Sequence, residues 1–265
     1  MSPKRSVLRV TVCQIDPREG HLDQCLADLA GHVNREGGDF ILLPEMGFSE
    51  WLPADKTPDA ERWAKAVADH DHYIERLSLL GAKWVLGTRP IIKASGSRRN
   101  EAYLWTRERD QATGVHEKVY LPDEEGYWEQ SWYDRGPKSF DTARLGDARL
   151  GVQICTEMWF FEWARHYATA QVDILCVPRA TPHGTADKWL AGGRAAAVCS
   201  GAYCLSSNLW YPEGSRADCG GLAWIVDPDG SVLTTTDTEN PFATVEIDLG
   251  FSRASKKTYP RYVPE

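Results

Sequence analysis

Residues 149–165 read RLGVQICTEMWFFEWAR, and a change of pattern inside this stretch decides the fold that the sequence predicts. Apolar residues at alternate positions, beginning with Leu150 and Val152, are typical of a β-strand. From Phe160 onward, apolar residues recur at three- and four-residue spacing, which is typical of an amphipathic helix. Cys155 therefore lies at a predicted strand-to-helix turn, where the free amides and the dipole of the helix start favour a thiolate. A buried structural cysteine is the alternative interpretation.

Strand and helix patterns continue on both sides of this turn. Strand-like segments lie at 7–15, 39–44, 83–90, 102–106, 116–121, 149–154, 172–178, 202–208, 221–228, 231–236 and 243–249. Helix-like segments lie at 22–36, 60–80, 160–171 and 186–200. This order favours an α/β domain with mixed sheets over a strict alternation of strands and helices. Residues 250–265 show no periodicity and are predicted to form a tail.

The composition argues against several classes of protein. The chain has 265 residues, enough for a sizeable core, and its net charge of −8 argues against general binding to nucleic acid or anionic membranes. No apolar run reaches the length of a membrane span and no signal-peptide core follows the basic N-terminal residues, so a cytoplasmic location is predicted. The seven cysteines are scattered without a C-x-x-C pair, which argues against a disulfide framework and a zinc site.

Two further polar residues follow apolar strands in the same way as Cys155. Glu45 ends the segment DFILLPE, and Lys118 lies in HEKVYL, before a loop rich in acids and aromatic residues. Either residue alone is consistent with a solvated strand end. Together with Cys155 they form a chemical set, because a carboxylate can take the thiol proton before the sulfur attacks an amide or nitrile carbon. The ammonium and the backbone N–H of Thr156 would then stabilise the developing negative charge.

The segments LLPEMGF, HEKVYLP and VQICTEMWFFEWAR resemble the motifs that carry the Glu-Lys-Cys triad of the nitrilase superfamily, the carbon–nitrogen hydrolases. The resemblance covers nearly the whole chain, from VTVCQIDP at the start to GGLAWIVDPDGSVL and ATVEIDL near the end. It implies that Glu45, Lys118 and Cys155 are the triad. It also implies a four-layer αββα sandwich, a hydrolase domain over 1–249 followed by a tail at 250–265, no cofactor, and a homodimer or higher homo-oligomer.

Members of this superfamily carry a second catalytic glutamate in the loop after the lysine, which positions the substrate and supports the base. Glu124, Glu125 and Glu129 are the candidates for that position here. The stretch LPDEEGYWEQSWYDRG is most similar to the corresponding loop of N-carbamoylputrescine amidase relatives, and this resemblance assigns the position to Glu129. Many amidases of the superfamily have an aspartate two residues after the cysteine, where this chain has Glu157. A glutamate there also occurs in true nitrilases, so the subfamily stays open.

Residues that flank the predicted triad are candidates for binding the substrate. Trp51, Trp128 and Trp159 predict an aromatic-walled pocket, with packing in the core or at a subunit interface as the alternative. Glu157 is a further candidate contact. Arg179 in VPRATP is a candidate clamp for a substrate carboxylate, with pairing to an acid such as Glu157 as the alternative. The acids of the lysine loop favour a cationic or neutral substrate and Arg179 an anionic one, so the sequence leaves the substrate charge open.

The predicted function is cysteine-dependent hydrolysis of a non-peptide carbon–nitrogen bond in a small linear amide or N-carbamoyl compound. The reaction would pass through a thioester and release ammonia or an amine. A nitrilase that converts a nitrile to acid and ammonia is one alternative, and a non-catalytic binding protein on the same fold is another. The expected partner is a small molecule, with no nucleic acid, membrane or metal involved.

Overall fold

The computed structural model describes residues 6–263, which form twelve strands and six α-helices. The predicted domain and the predicted tail extend beyond them, at 1–5 and 264–265. The strands of the described chain are β1 (Val7–Ile15), β2 (Phe40–Leu42), β3 (Trp84–Ile92), β4 (Arg98–Thr106), β5 (Gln111–Glu117), β6 (Ala143–Leu145), β7 (Ala148–Val152), β8 (Ile174–Arg179), β9 (Tyr203–Leu209), β10 (Trp224–Val226), β11 (Val232–Thr235) and β12 (Phe242–Asp248). The helices are α1 (Leu22–Glu36), α2 (Ala60–Ile74), α3 (Glu129–Trp132), α4 (Phe161–Thr169), α5 (Ala186–Ser200) and α6 (Leu249–Ser255).

The strands form two mixed sheets. The first has the order β5-β4-β3-β2-β1-β12, in which β1, β2 and β3 run parallel and the other neighbours are antiparallel. The second has the order β6-β7-β8-β9-β10-β11, in which β7, β8 and β9 run parallel. At the end of β1, Gln14 pairs with Asn208 and Ile15 with Leu209 of β9, so the two sheets are joined there.

The main hydrophobic cluster contains apolar side chains of both sheets, among them Val10 and Leu42 from the first and Val152 and Ile174 from the second. Helices cover the outer faces: α1 and α2 contact the first sheet, and α5 contacts the second with α4 beside it. Amphipathic helices bury one apolar stripe in this way. Each sheet is covered on both faces, so its central strands have apolar side chains on both sides. The predicted four-layer αββα sandwich is therefore confirmed.

The sequence pattern failed at the C-terminal end of the chain. Residues 249–255 form helix α6, whereas the segment from 250 onward shows no helical periodicity. The pattern is hidden because Ser252 and Ser255 are buried beside Leu249, so polar residues occupy positions of the inward face. Ser252 satisfies its hydroxyl by donating to the carbonyl of Gly201 at 2.9 Å. Within residues 6–263, no helix combines the length and the apolar character that crossing a bilayer requires.

Candidate active site

The turn at Cys155 is tighter than the sequence predicts. After β7 the chain enters a 3₁₀ turn, Cys155–Trp159, and α4 begins only after it. Cys155 itself has φ +51°, a left-handed conformation that costs a non-glycine residue about 1–3 kcal/mol and is common at functional sites. The end of β7 is fixed by Tyr167, whose hydroxyl donates to the carbonyl of Val152 at 2.9 Å and whose ring packs on Gly151.

Cys155 faces a cavity of about 490 Å³, although only 3% of its surface is exposed. The lining residues are Tyr120, Leu121, Pro122, Asp123, Glu124, Tyr127, Glu129, Arg135, Cys155, Thr156, Trp159, Phe160, Ala180, Thr181, Pro182, Thr185, Lys188 and Trp189. Burial raises the pKa of the Cys155 thiol far above its ordinary value, and the charge of Glu45 raises it further against the opposing effect of Lys118. Burial therefore opposes the thiolate that the turn was predicted to favour, and a base that takes the thiol proton would overcome this effect.

A buried carboxylate lies close to this thiol. Glu45 follows β2 and is fully buried, and its Oε1 accepts hydrogen bonds from Lys118 Nζ at 2.7 Å and Asn100 Nδ2 at 2.8 Å. Its Oε2 is also buried but has no hydrogen-bond partner among the described residues. A buried carboxylate oxygen without a partner is costly, so this atom is available to accept a proton or a polar group of a ligand. Asn100 lies in β4 and was not predicted to be part of the site.

Lys118 lies between two carboxylates. It directly follows β5, and its Nζ contacts Glu129 Oε1 at 2.8 Å as well as Glu45. Burial alone lowers the pKa of Lys118, but the charges of Glu129 and Glu45 outweigh it, so the pKa lies above its ordinary value and the ammonium persists. Tyr133, which the sequence reasoning missed, donates its hydroxyl to Glu129.

The three acids of the loop after Lys118 differ in their burial. Glu129 is buried at the start of α3, beside Lys118, whereas Glu124 and Glu125 are exposed. Burial raises the pKa of Glu129 to about 7, against the opposing charge of Lys118. The structure therefore brings Glu129, and neither of the other two acids, into one buried cluster with Glu45 and Lys118.

Glu157 does not line the cavity, and its contacts contradict the prediction that it binds substrate. One carboxylate oxygen accepts from the amide of Val119 and the other from the amide of Ile154, both at 2.7 Å. His116 Nε2 contacts the second oxygen, also at 2.7 Å. Because Val119 follows Lys118 and Ile154 precedes Cys155, this single carboxylate ties together the two segments that carry them.

The contact between His116 and Glu157 predicts a pH-dependent stability. Burial alone lowers the pKa of His116, but the charge and hydrogen bond of Glu157 outweigh it, so the folded-state pKa lies above the usual 6.5. The pair's contribution should then be complete below the unfolded-state pKa and be lost as the pH rises through the folded-state pKa. We expect the difference in unfolding free energy between wild type and His116→Gln, measured in urea, to shrink as the pH rises from about 6 to about 9.

A matched control for this prediction is His72→Gln, because His72 is exposed on α2. This variant should show no comparable dependence of its stability difference on pH. A difference for His116→Gln that stays constant or grows with rising pH would contradict the charged state assigned to the buried pair.

Arg179 also lies outside the cavity, so it is not the direct clamp that the sequence predicts. It ends β8, is 1% exposed, and donates to Ser206 Oγ and to the carbonyl of Leu222, both at 2.6 Å, and to Thr181 Oγ1. The alternative prediction, a pair with Glu157, is wrong as well, because the carboxylate of Glu157 is bound elsewhere.

The predicted aromatic wall exists only in part. Trp159 lines the cavity, with its ring centroid 5.0 Å from that of Trp189. Trp51 is buried, and its Nε1 donates to the carbonyl of Gly126 at 3.0 Å, in the loop between Lys118 and α3. Trp128 lies outside, with the Lys56 ammonium 4.4 Å from its ring centroid. The other aromatic residues of the wall are Tyr120, Tyr127, Phe160 and Trp189. Tyr120 and Phe160 each lie near a triad residue in sequence, and this proximity could have identified them as residues of the wall.

Comparison with protein families and characterised sequences extends these observations. The family described as carbon-nitrogen hydrolase matches residues 9–257. A glutamine-dependent NAD(+) synthetase of Rhodobacter capsulatus is 27% identical over 95% of this chain, and the match spans 45% of the length of that synthetase. A citrullinase of Francisella tularensis is 30% identical over 87% of this chain and 85% of its own. An N-carbamoylputrescine amidase of Arabidopsis thaliana is 24% identical over 87% of this chain and 82% of its own.

Solved structures share the same fold. A carbon-nitrogen hydrolase of Helicobacter pylori G27 superposes with a TM-score of 0.85 over 98% of this chain and 95% of its own, at 18% identity. An amidase mutant of Nesterenkonia sp. AN1, carrying the acetamide moiety of fluoroacetamide on its active-site cysteine, superposes with a TM-score of 0.77 over 96% of this chain and 95% of its own, at 21% identity.

Proposed function

This chain belongs to the carbon–nitrogen hydrolase family, and we propose that it hydrolyses a small linear amide or N-carbamoyl compound through a thioester on Cys155. The observation that carries the proposal is the fully buried cluster of Glu45, Lys118 and Glu129 next to a cysteine that faces a cavity. A cluster of three buried charges is expensive for stability, and such clusters concentrate at sites where they shift the chemistry of a reacting group.

In the first half of the proposed reaction, Glu45 Oε2 takes the proton of the Cys155 thiol and the sulfur attacks the carbonyl carbon. The carbonyl oxygen becomes an oxyanion, which Lys118 Nζ and the amide of Thr156 stabilise. Thr156 is suited to this because it lies in the first turn of the 3₁₀ segment, where amides have no acceptor within the turn. The carbon–nitrogen bond then breaks, and the proton held by Glu45 passes to the leaving ammonia or amine.

In the second half, Glu45 takes a proton from a water molecule that attacks the thioester carbon. The same two donors stabilise the second oxyanion, and its collapse releases the acid and returns the proton to the sulfur. Glu129 lines the same cavity and acts in this scheme on Lys118. It keeps Lys118 charged and in place, since the ammonium is held between Glu45 and Glu129.

The cavity favours a substrate with a polar end. Its lining includes the acids Asp123 and Glu124 and the bases Arg135 and Lys188, so charges of both signs are available. The similarity to a citrullinase and to an N-carbamoylputrescine amidase favours an N-carbamoyl group at the reacting end.

Ammonia release from a substrate panel tests this proposal. The panel contains linear amides, N-carbamoyl amines, N-carbamoyl amino acids and nitriles, each with a matched sample that lacks the protein. We expect turnover of at least one amide or N-carbamoyl compound, accompanied by a mass increase on Cys155 equal to the acyl group. Turnover of nitriles alone would replace the proposal with a nitrilase. No turnover and no mass increase with any member would support a non-catalytic binding protein.

A further inference from the structure

The buried guanidinium of Arg179 has no carboxylate partner in the part of the chain that the structure describes. Its three nitrogens donate to neutral oxygens, those of Ser206, Thr181 and Leu222. The ring centroid of Trp224 lies 3.9 Å from the guanidinium carbon, so one face of the cation packs on an indole. Burial lowers the pKa of Arg179 to about 9, which still leaves it charged at neutral pH. An uncompensated buried charge is costly, so its retention calls for a reason.

The two hydroxyl groups that accept from Arg179 differ in what they do with their own protons. Ser206 Oγ donates its proton to the carbonyl of Val177 at 2.6 Å. Thr181 Oγ1 accepts from Arg179, but among the hydrogen bonds within residues 6–263 it donates to nothing. A hydroxyl that accepts from a cation is a stronger donor than a free one, because neighbouring hydrogen bonds polarise each other.

The hydroxyl without an acceptor belongs to a residue of the Cys155 cavity. Thr181 lines that cavity together with its neighbour Ala180, whose carbonyl lies 3.8 Å from Cys155 Sγ. Thr181 is only 2% exposed, and its backbone is fixed because its amide donates to Asn208 Oδ1 at 3.0 Å and its carbonyl accepts from the amide of Gly220 at 2.9 Å. The donor is therefore held in place before any ligand arrives.

We propose that the Thr181 hydroxyl donates a hydrogen bond to a carbonyl or carboxylate oxygen of the bound substrate, with Arg179 as the positioning residue behind it. The inference rests on the proposed function, since it assigns a substrate contact in the same cavity. It gives the positive charge of Arg179 a role through Thr181 instead of the direct clamp that the sequence suggests. Substrates that lack an acceptor oxygen at this place are bound and turned over less well.

The test compares Thr181→Val with Ser206→Ala. Each substitution removes one neutral acceptor from Arg179, but only Thr181→Val changes a residue that lines the cavity. We expect kcat/KM for the best substrate to fall about 10- to 100-fold in Thr181→Val, as for loss of a hydrogen bond to a charged or developing charged group. Ser206→Ala should lower the melting temperature but keep kcat/KM within about threefold of wild type. Thr181→Ser, which restores the hydroxyl, should recover most of the loss.

Two results would overturn the inference: wild-type kcat/KM in Thr181→Val, or equal losses in Thr181→Val and Ser206→Ala. A second measurement separates these from failure of the proposed function. Alkylation of Cys155 by iodoacetamide, which has a carbonyl oxygen, is compared with alkylation by iodoethane, which has none, using mass spectrometry of the Cys155 peptide. The preference for iodoacetamide should drop in Thr181→Val even if no panel substrate is turned over. If the wild type turns over no panel substrate and Thr181→Val shows the same preference for iodoacetamide as the wild type, the inference is overturned as well.

Discussion

Replacing Cys155 by alanine is expected to reduce ammonia release from the best substrate to the uncatalysed rate, a loss of roughly 10⁵-fold or more. Among residues 6–263, Cys155 contributes the only sulfur to the cavity lining, and the proposed thioester requires one. Alanine removes only the Sγ atom from a side chain that is 3% exposed, and it keeps the same Cβ in the left-handed turn. The fold should therefore survive, so circular dichroism and the melting temperature are expected to change little while activity disappears.

A suitable control is Cys199→Ala, because Cys199 is a half-buried free thiol on α5 that does not line the cavity. This variant should keep its wild-type rate. Activity of more than about one hundredth of wild type in a Cys155→Ala preparation free of the parent protein would exclude the proposed mechanism.

Replacing Lys118 by methionine is expected to have the largest effect on stability. The ammonium is fully buried between Glu45 and Glu129, and its loss leaves two buried carboxylates without a cation. Removing one member of a buried charge cluster costs about 3–5 kcal/mol of unfolding free energy, far more than the loss of a surface ion pair. Activity should fall as well, since one of the two proposed oxyanion donors is removed. Urea unfolding and ammonia release measure the two effects on the same preparation.

The double variant Lys118→Met with Glu129→Gln separates the two effects. Neutralising one of the stranded carboxylates should recover part of the lost stability, whereas activity should stay low because the cation is still missing. Wild-type stability in Lys118→Met would mean that the carboxylates are protonated or solvated when the cation is removed. Wild-type activity in either variant would refute the assigned role of Lys118.

The three central residues of the candidate site were predictable from the sequence, although several ends of helices and strands were not. Glu45 follows β2 and Cys155 lies just beyond β7, both after apolar runs that local periodicity detects. Lys118 follows β5, which is Gln111–Glu117 and not the predicted segment 116–121. The boundaries of α1 and α5 also agree with the predicted segments, since both have regular patterns and end at left-handed glycines, Gly37 and Gly201.

The partners of individual side chains were decided only by the tertiary structure. Glu157 contacts Val119 and His116 across about 40 positions of sequence, and Glu45 contacts Asn100 across 55. A sequence pattern reports which face of a strand or helix a residue occupies, because that depends on neighbours a few residues away. Which groups meet at the ends of different strands depends on sheet order and on the path of loops, and these are set by packing of the whole chain. For this reason the sequence identified Arg179 as important but assigned it the wrong contact. It also gave no sign that the Thr181 hydroxyl would have no acceptor among the described residues.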